Sequence, residues 1–175
     1  MCLLKQIKKK LPIGIENFAK LQSEDFYYVD KTMLIKELLD NWAEVNLFTR
    51  PRRFGKTLNM SMLQYYFEDR RDEFTGGKID NSYLFEGLNI WKYEYYKKIQ
   101  GTYPVIFLSF ADVKQDCYGD TVQKIRHIIG DTYRQHRYLL DALCFTEAEK
   151  HQFTKVMNCE MDDVTAQDAL KNLSY

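Results

Sequence analysis

A short apolar run, a loop ending in Gly-Lys-Thr and a segment of helical periodicity together constrain this chain most. Residues 45–49 (VNLFT) predict a short buried strand, and residues 56–67 predict a helix. The loop between them ends in Gly55-Lys56-Thr57. A strand, such a loop and a helix form the context that a phosphate-binding loop requires. The sequence therefore predicts a phosphate site where the loop meets the helix.

Each residue type at the end of this loop suits that chemistry. Backbone N–H groups of the loop and of the helix N-terminus present positive partial charge to phosphate. Gly55 allows close backbone approach because it has no Cβ. Lys56 would reach the β- and γ-phosphates, and the Thr57 hydroxyl would bind Mg²⁺.

The loop departs from the general pattern G-x-x-x-x-G-K-[ST] at its first position. Arg50 stands where the first glycine would be, and Pro51 removes one backbone donor. The guanidinium groups of Arg50, Arg52 and Arg53 partly compensate, because their geometry suits phosphate oxygens. The alternative interpretation is a chance Gly-Lys-Thr beside a solvated basic turn.

The segment Phe48–Leu58 (FTRPRRFGKTL) resembles the signature of the bacterial AAA-ATPase-like family of P-loop ATPases. In that family arginine replaces the usual first glycine, so Arg50 matches it. The resemblance continues collinearly through residues 13–18, 27–32, 84–88 and 103–106. It implies ATP and Mg²⁺ as cofactors, and longer relatives often carry a C-terminal nuclease-like domain of the PD-(D/E)XK type. The predicted nucleotide-binding residues are Arg52, Arg53, Phe54, Gly55, Lys56, Thr57 and Leu58, with Thr57 as the metal ligand.

The predicted fold is α/β, a P-loop NTPase-like parallel sheet flanked by helices. Its clearest strand is residues 103–110 (YPVIFLSF), which are apolar on both faces, as in a parallel sheet. Further helices are predicted at residues 119–144, from Thr146 to about Met157, and from Thr165 to the end. We expect one domain overall, with residues 1–44 as a helical and extended lead-in and residues 45–175 as the N-terminal part of an ATPase domain.

One strand that the resemblance leads us to expect has no counterpart in this sequence. The resembling family has a strand ending in Asp-Glu that holds Mg²⁺ and activates water, and no such strand follows here. Asp112 follows an apolar run, but its spacing is loose and no second acidic residue comes after it. The sheet is therefore expected to lack its C-terminal strands, as in a fragment or a truncated product. Weak or absent hydrolysis is expected, and no catalytic residue is assigned.

Asp30 and Lys31 are the polar residues of most interest outside the loop. Asp30 stands at the N-cap position of a predicted helix over residues 31–42, and Lys31 is interpreted as a solvated first-turn residue. The alternative is a place near the nucleotide, because this Asp-Lys-Thr segment matches the resembling family.

The amino-acid composition argues against several classes of function. Lys plus Arg and Asp plus Glu both number 25, so bulk electrostatic binding to nucleic acid is disfavoured. A local basic patch remains, so one alternative is a nucleic-acid-interacting module that uses the basic Arg50–Arg53 loop. Another alternative is a non-functional remnant. The four cysteines show no C-x-x-C spacing that would indicate a zinc or redox motif. Without a signal-peptide core or a run of transmembrane length, a cytoplasmic protein with no membrane partner is expected.

Overall fold

The computed structural model describes residues 9–41, 43–51, 53–72, 74–141 and 145–174. The secondary structure of these residues is helical. The α-helices are α1 (Phe18–Ser23), α2 (Met33–Asn41), α3 (Lys56–Phe67), α4 (Glu94–Ile99), α5 (Tyr118–Gln135), α6 (Glu147–Met157) and α7 (Asp163–Leu173). Shorter 3-10 helices are formed by Ser82–Phe85, Asn89–Lys92 and Arg137–Asp141.

The predicted parallel sheet is wrong, because the described residues contain no β-strand. They contain only isolated bridges, Glu68 with Tyr103 and Arg71 with Lys78. A strand needs a neighbouring backbone along its length to bond its N–H and C=O groups. Within the described ranges, residues 45–49 and 103–110 have no such ladder. Apolar composition predicted strands here, but it does not by itself supply a pairing partner.

The chain divides into two compact units, and the first comprises the chain up to Asp69 together with Asp80–Val105. Its core is a cluster of buried aromatic and aliphatic side chains: Phe18, Ile35, Met62, Tyr66, Leu84, Phe85, Ile90 and Tyr96. The rings of Phe18 and Phe85 lie 5.2 Å apart between centroids. The Tyr66 hydroxyl donates to the Tyr96 carbonyl at 2.6 Å. Helix α3 thus packs on this aromatic cluster, whereas the sequence predicted packing on a sheet.

Local sequence explains where the helices of this unit lie. The Asn17 side chain caps α1 by accepting a hydrogen bond from the Lys20 N–H at 2.9 Å. Helix α2 is shorter than predicted, and among the described residues of its apolar face only Ile35 is buried. Trp42, predicted to complete that face, lies outside the described residues. Helix α3 has the predicted bounds.

The second unit comprises Arg70–Ile79 and the chain from Ile106 onward. Helices α5, α6 and α7 pack around a core of their own: Ile129, Tyr133, Phe153, Val156, Met161 and Ala169. Helix α5 is shorter than the predicted 119–144 helix, because a 3-10 helix follows it, and Cys144 lies outside the described residues. Helix α6 begins and ends as predicted, whereas α7 begins earlier because Asp162 caps it, not Thr165. Across the described ranges, no helix has the combined length and apolar character needed to cross a bilayer.

Candidate functional site

The loop before α3 contains two residues in the left-handed conformation. Arg53 has φ 68° and Gly55 has φ 73°. Glycine adopts this conformation without a steric penalty, whereas for Arg53 it costs about 1–2 kcal/mol. Such strain persists only where the surrounding structure holds it, and it concentrates at ligand sites. Left-handed residues in a turn are also a component of backbone nests that bind anions.

Helix α3 begins directly after this loop with an open N-terminus. Gly55 is the N-cap residue, and no side chain of the described residues caps the helix there by a hydrogen bond. The first N–H groups of a helix have no acceptor within the helix, and they carry partial positive charge. The helix is 12 residues long, so this charge is fully developed at its start. The geometry therefore suits an anion at the first turn.

Two lysine side chains lie at this loop. The Lys56 ammonium donates a 2.6 Å hydrogen bond to the carbonyl oxygen of Arg50, and its side chain remains exposed. The Lys31 ammonium lies 3.8 Å from the position that a Cβ on Gly55 would occupy. Two exposed cationic groups, those of Lys31 and Lys56, therefore lie at this loop, where a phosphate could bind to them.

The predicted nucleotide-binding residues are contiguous, and most of them face solvent. Arg53, Phe54, Lys56 and Thr57 are exposed, Phe54 to 60%. Leu58 differs, because its side chain packs against the core of the first unit. Arg52 lies outside the described residues. The described residues also contain no group of three or more His, Cys, Asp or Glu placed to hold a metal ion.

Asp30 has a structural role in this unit. One of its carboxylate oxygens accepts hydrogen bonds from the N–H and the hydroxyl of Thr32, at 2.8 and 2.7 Å. The other accepts from the Asn89 N–H at 2.7 Å, and the Thr32 hydroxyl oxygen accepts from the Ile90 N–H at 3.2 Å. Burial would raise the pKa of Asp30, but the hydrogen bonds from Thr32 and Asn89 outweigh it and lower that pKa. Asp30 thus ties the segment before α2 to the 3-10 helix Asn89–Lys92.

The Tyr28 hydroxyl holds the backbone of Lys31, the residue after Asp30. The Lys31 N–H donates to the Tyr28 hydroxyl oxygen at 3.2 Å, and that hydroxyl donates to the Met62 sulfur at 3.4 Å. Burial raises the pKa of Tyr28 to about 12, so the hydroxyl stays protonated. Lys31 is exposed, but it precedes α2 and is not in its first turn, and its ammonium lies beside Gly55. The Asp-Lys-Thr segment was the signal for the alternative that the sequence left open, a place near the nucleotide.

Comparison with known proteins supports one family. An "Uncharacterized protein in vnfD 5'region" of Azotobacter chroococcum mcd 1 is 42% identical over 73 residues, which are 41% of this chain and 14% of that protein. The chain thus spans about a seventh of this relative's length. No solved structure matches the chain. A family model described as "Predicted AAA-ATPase" matches residues 12–169, which include the loop before α3 and the Asp30 segment. The chain therefore belongs to this AAA-ATPase-like family.

Proposed function

We propose that this chain binds ATP by its polyphosphate, through the loop that leads into α3. The observation that carries the proposal is the loop's geometry: a left-handed Gly55 opens directly into the uncapped N-terminus of a 12-residue helix. The first residue of that helix, Lys56, carries an exposed ammonium group. Membership of the AAA-ATPase-like family adds support, because it suggests a nucleotide as the ligand.

Each part of the site would have its own role in binding ATP. Backbone N–H groups of the first turn of α3 would donate to phosphate oxygens. Lys56 would exchange its bond to the neutral Arg50 carbonyl for a stronger charge-assisted bond to phosphate. The exposed Thr57 hydroxyl would contribute one ligand to Mg²⁺, which commonly takes its other ligands from water and phosphate. Arg53 would add a second positive charge from the loop.

The rival function is binding of a nucleic-acid backbone by Arg50, Arg53 and the neighbouring lysines. Both arginines are exposed, so the contact is sterically feasible. The two functions differ in their salt and metal dependence. Contacts with a nucleic-acid backbone weaken steeply with salt and do not require Mg²⁺. Binding of a triphosphate at this loop should instead depend on Mg²⁺ and on the terminal phosphate.

Thermal unfolding with Mg-ATP tests the proposal. A ligand specific to the folded state, at 100 times its dissociation constant, adds about 2.7 kcal/mol to the free energy of unfolding. We expect the wild type to show this stabilisation and Lys56→Ala to lose it. Lys98→Ala is the matched control, because it removes an exposed lysine from α4 of the same unit. Equal stabilisation of wild type and Lys56→Ala would contradict the proposal.

Two further readouts separate the alternatives. Binding of a single-stranded oligonucleotide that weakens steeply with salt, without stabilisation by Mg-ATP, would favour the nucleic-acid function. No response to either ligand would favour a folded remnant. Phosphate release measured in the same samples would test the sequence-based expectation that hydrolysis is weak or absent.

A further inference from the structure

We propose that Lys31 is a second phosphate-binding lysine, which contacts the polyphosphate chain of the nucleotide from beside Gly55. The inference rests on the proposed function and names a residue outside the Gly-Lys-Thr loop. Lys31 lies 24 positions before Gly55 in the chain, so its proximity to the loop is a product of the fold.

The position of the Lys31 ammonium is the first observation. It lies 3.8 Å from the site of a hypothetical Cβ on Gly55, the residue that opens α3. Within the described residues this ammonium makes no hydrogen bond or ion pair. An exposed cation beside an open helix N-terminus is free to bind an anion there without first breaking another contact. Lys56, by contrast, already donates one of its three N–H groups to the Arg50 carbonyl.

The backbone that carries Lys31 is the second observation, because it is fixed on both sides. The Lys31 N–H is bonded to the Tyr28 hydroxyl, which in turn contacts Met62 of α3. The flanking Asp30 and Thr32 are bonded to the N–H groups of Asn89 and Ile90. A residue whose backbone is already fixed in this way loses less backbone freedom on binding. Asp30 and Tyr28 are thus positioning residues for Lys31.

The loop's own composition is the third observation. It lacks the usual first glycine, and Pro51 lacks a backbone donor. A loop with fewer backbone donors needs additional positive charge to hold a polyphosphate. Lys31 supplies one such charge from a different segment of the same unit.

Calorimetric titration of four variants tests the inference, with Mg-ATP and inorganic tripolyphosphate as ligands. Lys31→Met removes the charge and keeps an unbranched side chain one atom shorter, and Lys31→Arg restores the charge. Lys98→Met removes a charge from α4, and Lys56→Ala disables the loop. We expect Lys31→Met to lower the affinity for both ligands at least about tenfold, as the loss of one charge-assisted hydrogen bond would. Lys31→Arg should recover most of this loss, and Lys98→Met should change affinity less than about twofold, because screened surface charge acts weakly.

The possible failures are distinguishable. Binding by wild type, loss in Lys56→Ala and an unchanged affinity in Lys31→Met would overturn the role of Lys31 and leave the proposed function standing. An equal loss of affinity in Lys31→Met and Lys98→Met would show that Lys31 acts only through its general positive charge. That result would also overturn the proposed role of Lys31. No binding by the wild type would overturn the proposed function and this inference together. The helical circular dichroism and the unfolding midpoint of each variant establish that it is folded.

Discussion

Gly130 lies on the face of α5 that packs against the end of α6, with no room for a side chain. A Cβ there would lie 2.6 Å from the Cys159 sulfur and 3.2 and 3.3 Å from the carbonyl oxygens of Val156 and Met157. The sulfur can rotate away, but the two carbonyl groups belong to the backbone. We therefore expect Gly130→Ala to destabilise the protein by about 1–3 kcal/mol. This is opposite to the gain of about 1 kcal/mol that alanine gives in an open helix position.

Chemical denaturation of Gly130→Ala measures this effect. The matched control is Gly119→Ala in the same helix, where a Cβ would meet no atom within 4 Å. The control should be neutral or stabilising. Equal stability of the two variants would contradict tight packing of α5 against α6 at Gly130.

At the scale of elements, the segment before helix α2 is joined to the 3-10 helix Asn89–Lys92 through the Asp30 carboxylate. Hydrogen bonds from Thr32 and Asn89 lower the pKa of Asp30 despite its burial, and the positive charge of Lys92 acts in the same direction. A lowered pKa means that the folded state favours the ionised carboxylate. The resulting stabilisation is present above the ordinary carboxyl pKa of 3.8 and is lost as the pH falls through the lower folded-state value.

The Asp30→Asn variant tests this linkage. Asparagine does not ionise, so at about pH 6 the variant should have a smaller free energy of unfolding than the wild type. The difference should shrink as the pH falls below the ordinary pKa of 3.8, because the wild type then loses the charge too. Denaturant unfolding across this range measures it. A difference that is independent of pH would mean that the hydrogen bonds, and not the charge, give Asp30 its effect.

At the scale of the whole molecule, the chain has two separate hydrophobic cores. The core around Tyr66 and Phe85 and the core around Tyr133 and Phe153 share no residue. Units with their own cores can open as separate cooperative structures. The proposed nucleotide loop lies entirely in the first unit, and Gly130 lies in the second.

Hydrogen exchange can therefore distinguish the two units. We expect Gly130→Ala to lower amide protection in α5, α6 and α7 and to leave α1 and α3 unchanged. Mg-ATP should raise protection at the start of α3 without altering α6 or α7. Loss of protection throughout the chain in Gly130→Ala would show a single cooperative structure instead.

The sequence alone predicted the features that depend on neighbouring residues. The bounds of α3 follow from the Gly-Lys-Thr start and the apolar spacing up to Phe67. The start of α6 follows from the reciprocal hydrogen bonds of Thr146 and Glu149, which form a capping box. The resemblance carried by residues 48–58 also identified the AAA-ATPase-like family correctly. Each of these signals lies in short stretches of consecutive residues.

Only the tertiary structure decided which distant segments meet. Residues 45–49 have the apolar composition of a buried strand, yet Val45 and Leu47 are each 83% exposed and no ladder forms in the described ranges. Among the residues that the structure describes, residues 103–110 likewise pair only at Tyr103. Lys31 lies beside Gly55, and its neighbour Asp30 accepts a hydrogen bond from the N–H of Asn89, 59 positions further along the chain. Strand pairing and side-chain proximity are set by residues far apart in sequence, so no local pattern could determine them.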